Sequence, residues 1–286
     1  MSVLRTLVAE ELGQPVDARV TAIAQAIAAE HGHASRAALF YGSCLRQQQL
    51  DGLMLDFYLI VSDYGAAYTK RWLATANRLI PPNVFYFEHG GLVAKYAVLS
   101  ETDFHRLCGP ETSSVSVWAR FAQPSRLAWS ANEEARDRAI DAVCRAAPTL
   151  LAAARVAENE DDLALWRRAF ALTYSAELRA ERTGRASSVV DLEPDRYRRF
   201  TAPALEIART MRPSLNWGWR RVEGKALSVV RLAKASLTFA GGAEYIVWKI
   251  NRHAGTDIQL RPWQRRHPLL AGLSLLPRLL KSGAVR

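Results

Sequence analysis

The sequence predicts an α+β fold, and three observations support this assignment. Within the first hundred residues, short apolar runs of strand length alternate with segments in which apolar residues recur at helical spacing. From Glu101 onward the pattern is helical almost throughout. The chain has 286 residues and 49% hydrophobic content, which is enough for one large core or two modest ones.

Four strands are predicted, and they fall into two pairs. Residues 37–41 and 53–61 form the first pair, separated by a polar connection. Residues 83–88 and 92–99 form the second pair, joined by the turn-like cluster His89-Gly90-Gly91. The order helix–strand–strand–helix–strand–strand predicts a mixed sheet.

The other segments are predicted to be helical because their apolar residues recur every three or four positions. Their ranges are 17–31, 66–79, 102–108, 115–122, 132–158, 161–182, 194–211, 225–239 and 243–253. Residues 213–219 are predicted to be a linker into the last two helices.

The charge balance favours an anionic partner. The formal net charge is +10, which suits nucleic acid, an anionic membrane surface or a phosphorylated substrate. No run of about 18 uncharged apolar residues occurs, so we expect no bilayer-spanning segment. The first residues lack the apolar stretch of a signal peptide, and the three widely spaced cysteines indicate a reducing compartment. We therefore expect a cytoplasmic protein.

The C-terminal segment has a different composition. Residues 249–286 contain eight basic residues and one acid; Trp248 directly precedes this segment, and Trp263 and a cluster of leucines lie within it. A basic segment with Trp and Leu on another face is typical of a helix that lies on an anionic membrane. The alternative is a C-terminal helix that packs on the core and leaves a basic edge in solvent.

The stretch 40–63 holds the residues most suggestive of chemistry. A Gly42-Ser43 turn follows the first strand, and Asp56 interrupts the apolar run of the second. Burying an acid in such a run is costly unless it is paired or binds a metal. A polymerase-beta-like nucleotidyltransferase uses this arrangement: the turn donates backbone N–H groups to a nucleoside triphosphate, and strand carboxylates hold Mg²⁺.

The metal site departs from that pattern at one position. Two acids two residues apart would point to the same side of the strand, but the second position here is Tyr58. Asp63, at the end of the strand, is the candidate to complete a Mg²⁺ site with Asp56. Its alternative role is to cap the helix that follows.

Two cations are candidates for neutralising phosphate charge. Lys95 lies in the apolar run 92–99 and either snorkels from an edge strand or points into a cleft opposite Asp56. Arg120 can bind phosphate through its guanidinium, or it is an ordinary surface arginine of a helix.

Four motifs in this order resemble those of the mitochondrial-type phosphatidate cytidylyltransferases, the soluble CDP-diacylglycerol synthases. The matching residues are Tyr41-Gly42-Ser43, Met54-Leu55-Asp56-Phe57 with Val61-Ser62-Asp63, Lys95-Tyr96-Ala97-Val98-Leu99-Ser100, and Arg120 with Pro124. The resemblance covers about residues 38–130. The departures are Cys44 for a glycine, Ser62 for an acid, and Ala119 and Gln123 for a glycine and a lysine, so we expect a divergent bacterial member.

The resemblance implies a division into three parts. Residues 1–130 would form the nucleotidyltransferase domain, 131–255 a helical, winged-helix-like domain, and 256–286 a basic amphipathic segment that contacts the membrane. The implied reaction is CTP plus phosphatidate giving CDP-diacylglycerol and pyrophosphate, with Mg²⁺ as cofactor. Asp56, Lys95 and Arg120 would be catalytic, Gly42 and Ser43 would bind the nucleotide, and Asp56 with Asp63 would hold the metal. The protein would work on the inner face of the membrane.

Two other functions are compatible with the same residues. A nucleotidyltransferase could act on RNA or a small molecule, although no RNA-binding signature is present and we expect no nucleic-acid partner. A catalytically inactive nucleotidyltransferase fold could serve as a membrane-bound scaffold, and Tyr58 in place of an acid favours this reading.

Overall fold

The computed structural model describes residues 2–47, 49–154, 160–176, 189–212 and 217–238, together with Asn251, Gln259, Arg261 and Pro262. The sheet and its first helices are, in chain order, α1 (Val3–Leu12), α2 (Ala18–Ala29), β1 (Ser35–Tyr41), α3 (Ser43–Gln47), β2 (Met54–Val61), α4 (Tyr64–Ala67), α5 (Arg71–Leu79), β3 (Asn83–His89), β4 (Leu92–Ser100), α6 (Glu101–Cys108), α7 (Trp118–Phe121) and β5 (Ser125–Ser130). Five further helices follow: α8 (Glu133–Cys144), α9 (Ala146–Ala154), α10 (Asp162–Ala176), α11 (Pro194–Ala208) and α12 (Trp217–Thr238).

The five strands form one mixed sheet in the order β3-β4-β2-β1-β5. β2 pairs with β4 in parallel, whereas the β1–β2, β1–β5 and β3–β4 pairs are antiparallel. The prediction of an α+β fold with a mixed sheet is therefore confirmed. β5 was not predicted, because this short edge strand carries Ser125, Arg126 and Ser130 and so lacks a clear apolar alternation.

Both faces of the sheet are covered. Leu39, Tyr58 and Leu99 belong to one apolar cluster with residues of α1 and α6–α11, and we call their side the bundle face. Phe40, Phe57 and Val98 point the other way and pack with α2, α4 and α5. Because side chains alternate along a strand, Asp56 lies on the bundle face with Tyr58.

Two predicted helices are each divided. The segment predicted as 132–158 breaks at Arg145 into α8 and α9, because Pro148 lacks the N–H that would bond to the Cys144 carbonyl of a continuous helix. The segment predicted as 66–79 consists of α4 and α5, separated by Tyr68 in an extended conformation. The predicted linker 213–219 is too long, since α12 already begins at Trp217.

The proposed boundaries at 130 and 255 stay predictions. One apolar cluster contains both strand residues and residues of α8–α11. The predicted helix 243–253 lies outside the described residues except for Asn251, as does the tail 256–286 except for Gln259, Arg261 and Pro262. Within the described part of the chain, no helix combines the length and apolar character needed to cross a membrane.

A buried ion pair joins α1 to α11. The guanidinium of Arg196 donates to both carboxylate oxygens of Glu11, and its Nη1 donates to the Ala122 carbonyl at 3.1 Å. Both side chains are only 9% exposed. The Arg196 guanidinium also stacks on the Phe200 ring, 4.4 Å from its centroid. This pair fixes the N-terminal helix against the helical region.

Glu11→Ala is therefore expected to lower the free energy of unfolding by about 3–5 kcal/mol, because it leaves a buried guanidinium without its counter-ion. Urea denaturation measures this loss. The matched control is Glu10→Ala, whose exposed ion pair with Arg199 should contribute only about 0–1 kcal/mol. Equal losses in the two variants would contradict the structural role of the pair.

Candidate functional site

Three neighbouring strands bring Gly42, Asp56 and Lys95 together. In the strand register Tyr41 lies opposite Asp56, and Asp56 lies opposite Lys95. Lys95 Nζ and Asp56 Oδ1 form an ion pair at 2.9 Å, with side chains 27% and 17% exposed respectively. The acid that interrupts the apolar strand is thus half-buried and neutralised by the adjacent parallel strand.

Gly42 makes the close approach of the turn to Asp56 possible. Its φ of +97° lies in the region that favours glycine. A Cβ atom at this position would lie 2.7 Å from Asp56 Oδ2. The turn leads into α3, which begins at Ser43. Gly42 therefore lies directly beside the carboxylate, and Ser43 is the next residue of the turn.

Tyr58, at the position of the expected second acid, holds Arg120. Arg120 Nη1 donates to the Tyr58 hydroxyl and to the Ser116 carbonyl, each at 3.2 Å. Its guanidinium lies 5.4 Å from the centroid of the Tyr41 ring. Burial raises the pKa of Tyr41, so this phenol stays neutral. Tyr41 and Tyr58 therefore orient the Arg120 guanidinium on the bundle face. Tyr58 lies two residues along β2 from Asp56.

Asp63 lies at the other end of β2. It is seven positions after Asp56 in the sequence, which corresponds to a distance on the order of 20 Å along an extended chain. Its carboxylate accepts from the backbone N–H groups of Gly65 and Ala66 and caps α4, with Arg78 Nη2 at 3.7 Å. The structure does not bring the two carboxylates together. The geometry supports the capping role and separates Asp63 from any metal bound at Asp56.

β2 places the carboxylate of Asp56 beside the Gly42 turn. Among the described residues, no group of three or more His, Cys, Asp or Glu side chains is arranged to hold a metal ion. Mg²⁺ is often bound through one or two carboxylates with substrate phosphates completing its coordination. Asp56 is the residue of this site that could contribute a carboxylate oxygen to a Mg²⁺ ion of that kind, in place of its ion pair with Lys95.

Cys44 is a packing residue of the turn. It is buried, and its Sγ contacts the Met54 carbonyl at 3.4 Å. Burial raises the pKa of the thiol, which disfavours the thiolate needed for nucleophilic chemistry.

Sequence reasoning missed several polar residues that adjoin the site. Ser116 lies beside Arg120, and its hydroxyl accepts from Arg231 Nη1 of α12 at 3.1 Å. Arg231 and Lys234 are three residues apart, so they lie on one side of a helix. This spacing only weakly indicates contacts with the rest of the protein, because charged residues on a helix usually face solvent.

No protein-family model and no curated protein matches the chain. The resemblance to the cytidylyltransferases consequently depends on the four sequence motifs, and the functional assignment depends on the site geometry.

Gly42→Ala tests the contact between the turn and Asp56. The variant is expected to lower the free energy of unfolding by at least about 2 kcal/mol, since it adds a clash with Asp56 to the strain of a positive φ. Gly91→Ala is the control, because Gly91 has a φ of +77° and no atom within 4 Å of an added Cβ. We expect a loss of about 1–2 kcal/mol in the control by urea denaturation. Losses of the same size would show that Asp56 does not constrain position 42.

Proposed function

We propose that the protein is a phosphatidate cytidylyltransferase, which transfers a cytidylyl group from CTP to phosphatidate and releases pyrophosphate. The observation that carries this proposal is the packing of the Gly42 turn on Asp56, with Lys95 on the adjacent strand. The mixed sheet supports the polymerase-beta-like part of the assignment. The described part of 131–255 contains helices and no strand, which fits the helical domain but adds no support for a wing.

The chemistry assigns a role to each residue of the site. A phosphate oxygen of phosphatidate attacks the α-phosphorus of CTP, and the bond to the pyrophosphate oxygen breaks in line. The turn at Gly42 and Ser43 positions the triphosphate, while Lys95 and Arg120 neutralise its charge. Mg²⁺ bound at Asp56 would supply further charge neutralisation on the phosphates.

A stripe on α12 supports a lipid acceptor. Trp219, Val222, Val229 and Val230 are between 43% and 65% exposed. Their spacing places them within an arc of about 100° on the helix surface. Arg221 and Lys225 of the same helix are also exposed. Apolar and basic side chains on one exposed helix are suited to an anionic membrane surface, which is consistent with the proposed peripheral association.

Asp56→Asn is expected to reduce CTP- and phosphatidate-dependent pyrophosphate release at least about 100-fold, because it removes the charge that the turn and Lys95 surround. The matched control is Asp63→Asn, which should retain activity since Asp63 caps α4 at the far end of β2. Both variants are compared by circular dichroism to establish that they fold. An active Asp56→Asn variant, or equal losses in both variants, would overturn the assignment.

Tyr58 favours a second candidate, a nucleotide-binding scaffold without catalytic activity. The position that usually supplies a second acid holds a tyrosine bonded to Arg120. Calorimetry with CTP, alongside the pyrophosphate assay, separates the two candidates. A wild-type protein that binds CTP but releases no pyrophosphate with phosphatidate supports the scaffold.

The double substitution Val222→Asp and Val229→Asp is expected to reduce flotation with liposomes containing anionic lipid several-fold, because it places two acids on the stripe that faces the membrane. The control is Val3→Asp, which changes a valine of similar exposure on α1. Unchanged flotation of the double variant would show that α12 is not the contact surface.

A further inference from the structure

Arg46 is a cation beside the Gly42 turn to which the reaction described above assigns no role. It lies on α3, one helical turn after Gly42, and its backbone N–H donates to the Gly42 carbonyl at 3.4 Å. Its side chain is half-buried, and Nη1 donates to the side-chain oxygen of Gln123 at 3.3 Å. The Arg46 side chain therefore connects the turn at the end of β1 with the segment between α7 and β5.

The strand register places this contact at the same end of the sheet as Asp56. β5 begins two residues after Gln123, and its first residue, Ser125, lies opposite Tyr41. Tyr41 in turn lies opposite Asp56 on β2. The contact between Arg46 and Gln123 is therefore on the β1–β5 side of Asp56, at the level of the turn.

α7 orients both arginines that lie near the turn. Arg120 belongs to this helix, and its guanidinium lies 5.4 Å from the centroid of the Tyr41 ring. Gln123 lies three residues after Arg120, and its amide nitrogen donates to the Ala119 carbonyl at 2.9 Å. The amide oxygen is thereby directed to Arg46. A neutral amide orients the guanidinium without cancelling its positive charge.

Within the part of the chain that the structure describes, no carboxylate forms a salt bridge with Arg46. In the same part of the chain, Lys95 is paired with Asp56, and Arg196 is paired with Glu11. A guanidinium has five N–H donors in a planar arrangement, so an arginine held at one nitrogen can still donate to two oxygens of a phosphate.

The order of the strands gives the direction of a bound triphosphate. Lys95 lies on β4, on one side of Asp56, and the turn with Arg46 follows β1 on the other side. The proposed reaction occurs at the α-phosphorus, which needs the charges of Asp56-bound metal and Lys95 around it. The β- and γ-phosphates then extend over the turn towards Arg46.

We propose that Arg46 binds the two terminal phosphates of CTP and that Gln123 positions its guanidinium, an inference that rests on the function proposed above. These phosphates leave as pyrophosphate, and a cation beside them stabilises the charge that develops as the bond to the α-phosphorus breaks. The phosphate of phosphatidate has similar chemistry. It approaches the α-phosphorus in line with the leaving group and from the opposite side, which is away from the turn.

Arg46→Met is the primary test, because it removes the charge and keeps an unbranched side chain. Calorimetry with Mg²⁺ present should show at least about tenfold weaker binding of CTP and of inorganic pyrophosphate than in the wild type. Binding of CMP, which lacks the terminal phosphates, and of dihexanoyl phosphatidate should stay within about twofold. Arg71→Met, at an exposed arginine of α5, is the matched control and should change none of these affinities. Thermal unfolding establishes that both variants fold.

Gln123→Met tests the positioning role, because it removes the amide oxygen that accepts from Arg46. The affinities for CTP and pyrophosphate should fall about threefold or more, with CMP binding unchanged. In the Arg46→Met background the same substitution should cause no further loss, since residues that act through one contact are not additive. A further loss of the same size in that background contradicts the positioning role.

The ligands distinguish the possible sources of the bound phosphate. Unchanged affinities for CTP and pyrophosphate in Arg46→Met overturn the inference, and so does a loss confined to phosphatidate or an equal loss for CMP. Wild-type protein that binds neither CTP nor pyrophosphate also overturns it. Pyrophosphate release tests the proposed reaction separately: Arg46-dependent binding of CTP and pyrophosphate without release supports the inference and contradicts the reaction.

Discussion

The contact between the Gly42 turn and the Asp56 carboxylate, with Lys95 opposite, constrains the centre of the sheet. β2 is the middle strand, so its one acid needs a counter-ion from a neighbouring strand and space beside the turn that follows the other. The parallel register with β4 supplies Lys95, and the antiparallel register with β1 brings the turn within contact of Asp56. A shift of the β2–β4 register by one residue would move Lys95 and Asp56 to opposite faces and leave the half-buried carboxylate without its counter-ion.

Much of this local arrangement could be predicted from the sequence. Apolar runs with turn residues at their ends indicate β1–β4, and an acid inside an apolar strand indicates a residue with a partner or a ligand. α1 was not predicted, and its apolar residues Leu4, Val8 and Leu12 become informative only because α1 packs on α8 and α11. Asp63 had two open roles, and only the cap geometry of α4 distinguishes between them.

The contacts that join distant segments could not be predicted. Tyr58 and Arg120 are 62 positions apart, and Ser116 and Arg231 are 115 positions apart, so no local spacing relates them. Their approach depends on α7, a helix of four residues, and on the path of α12 across the bundle face. Helix and strand propensities and the periodicity of apolar residues predict which elements form. The packing of those elements decides which polar side chains come into contact.

Under the proposed function, Tyr58 occupies the position at which a second acid is expected. The site therefore has one negative charge fewer beside Asp56 than that pattern provides, and the Tyr58 hydroxyl anchors Arg120, which adds a fixed positive charge to the same face. Lys95 and Arg120 are therefore two cations on the same face as the one carboxylate of Asp56. Under the proposed function, such a site relies on protein cations for part of the phosphate neutralisation that a second carboxylate-bound metal would otherwise supply.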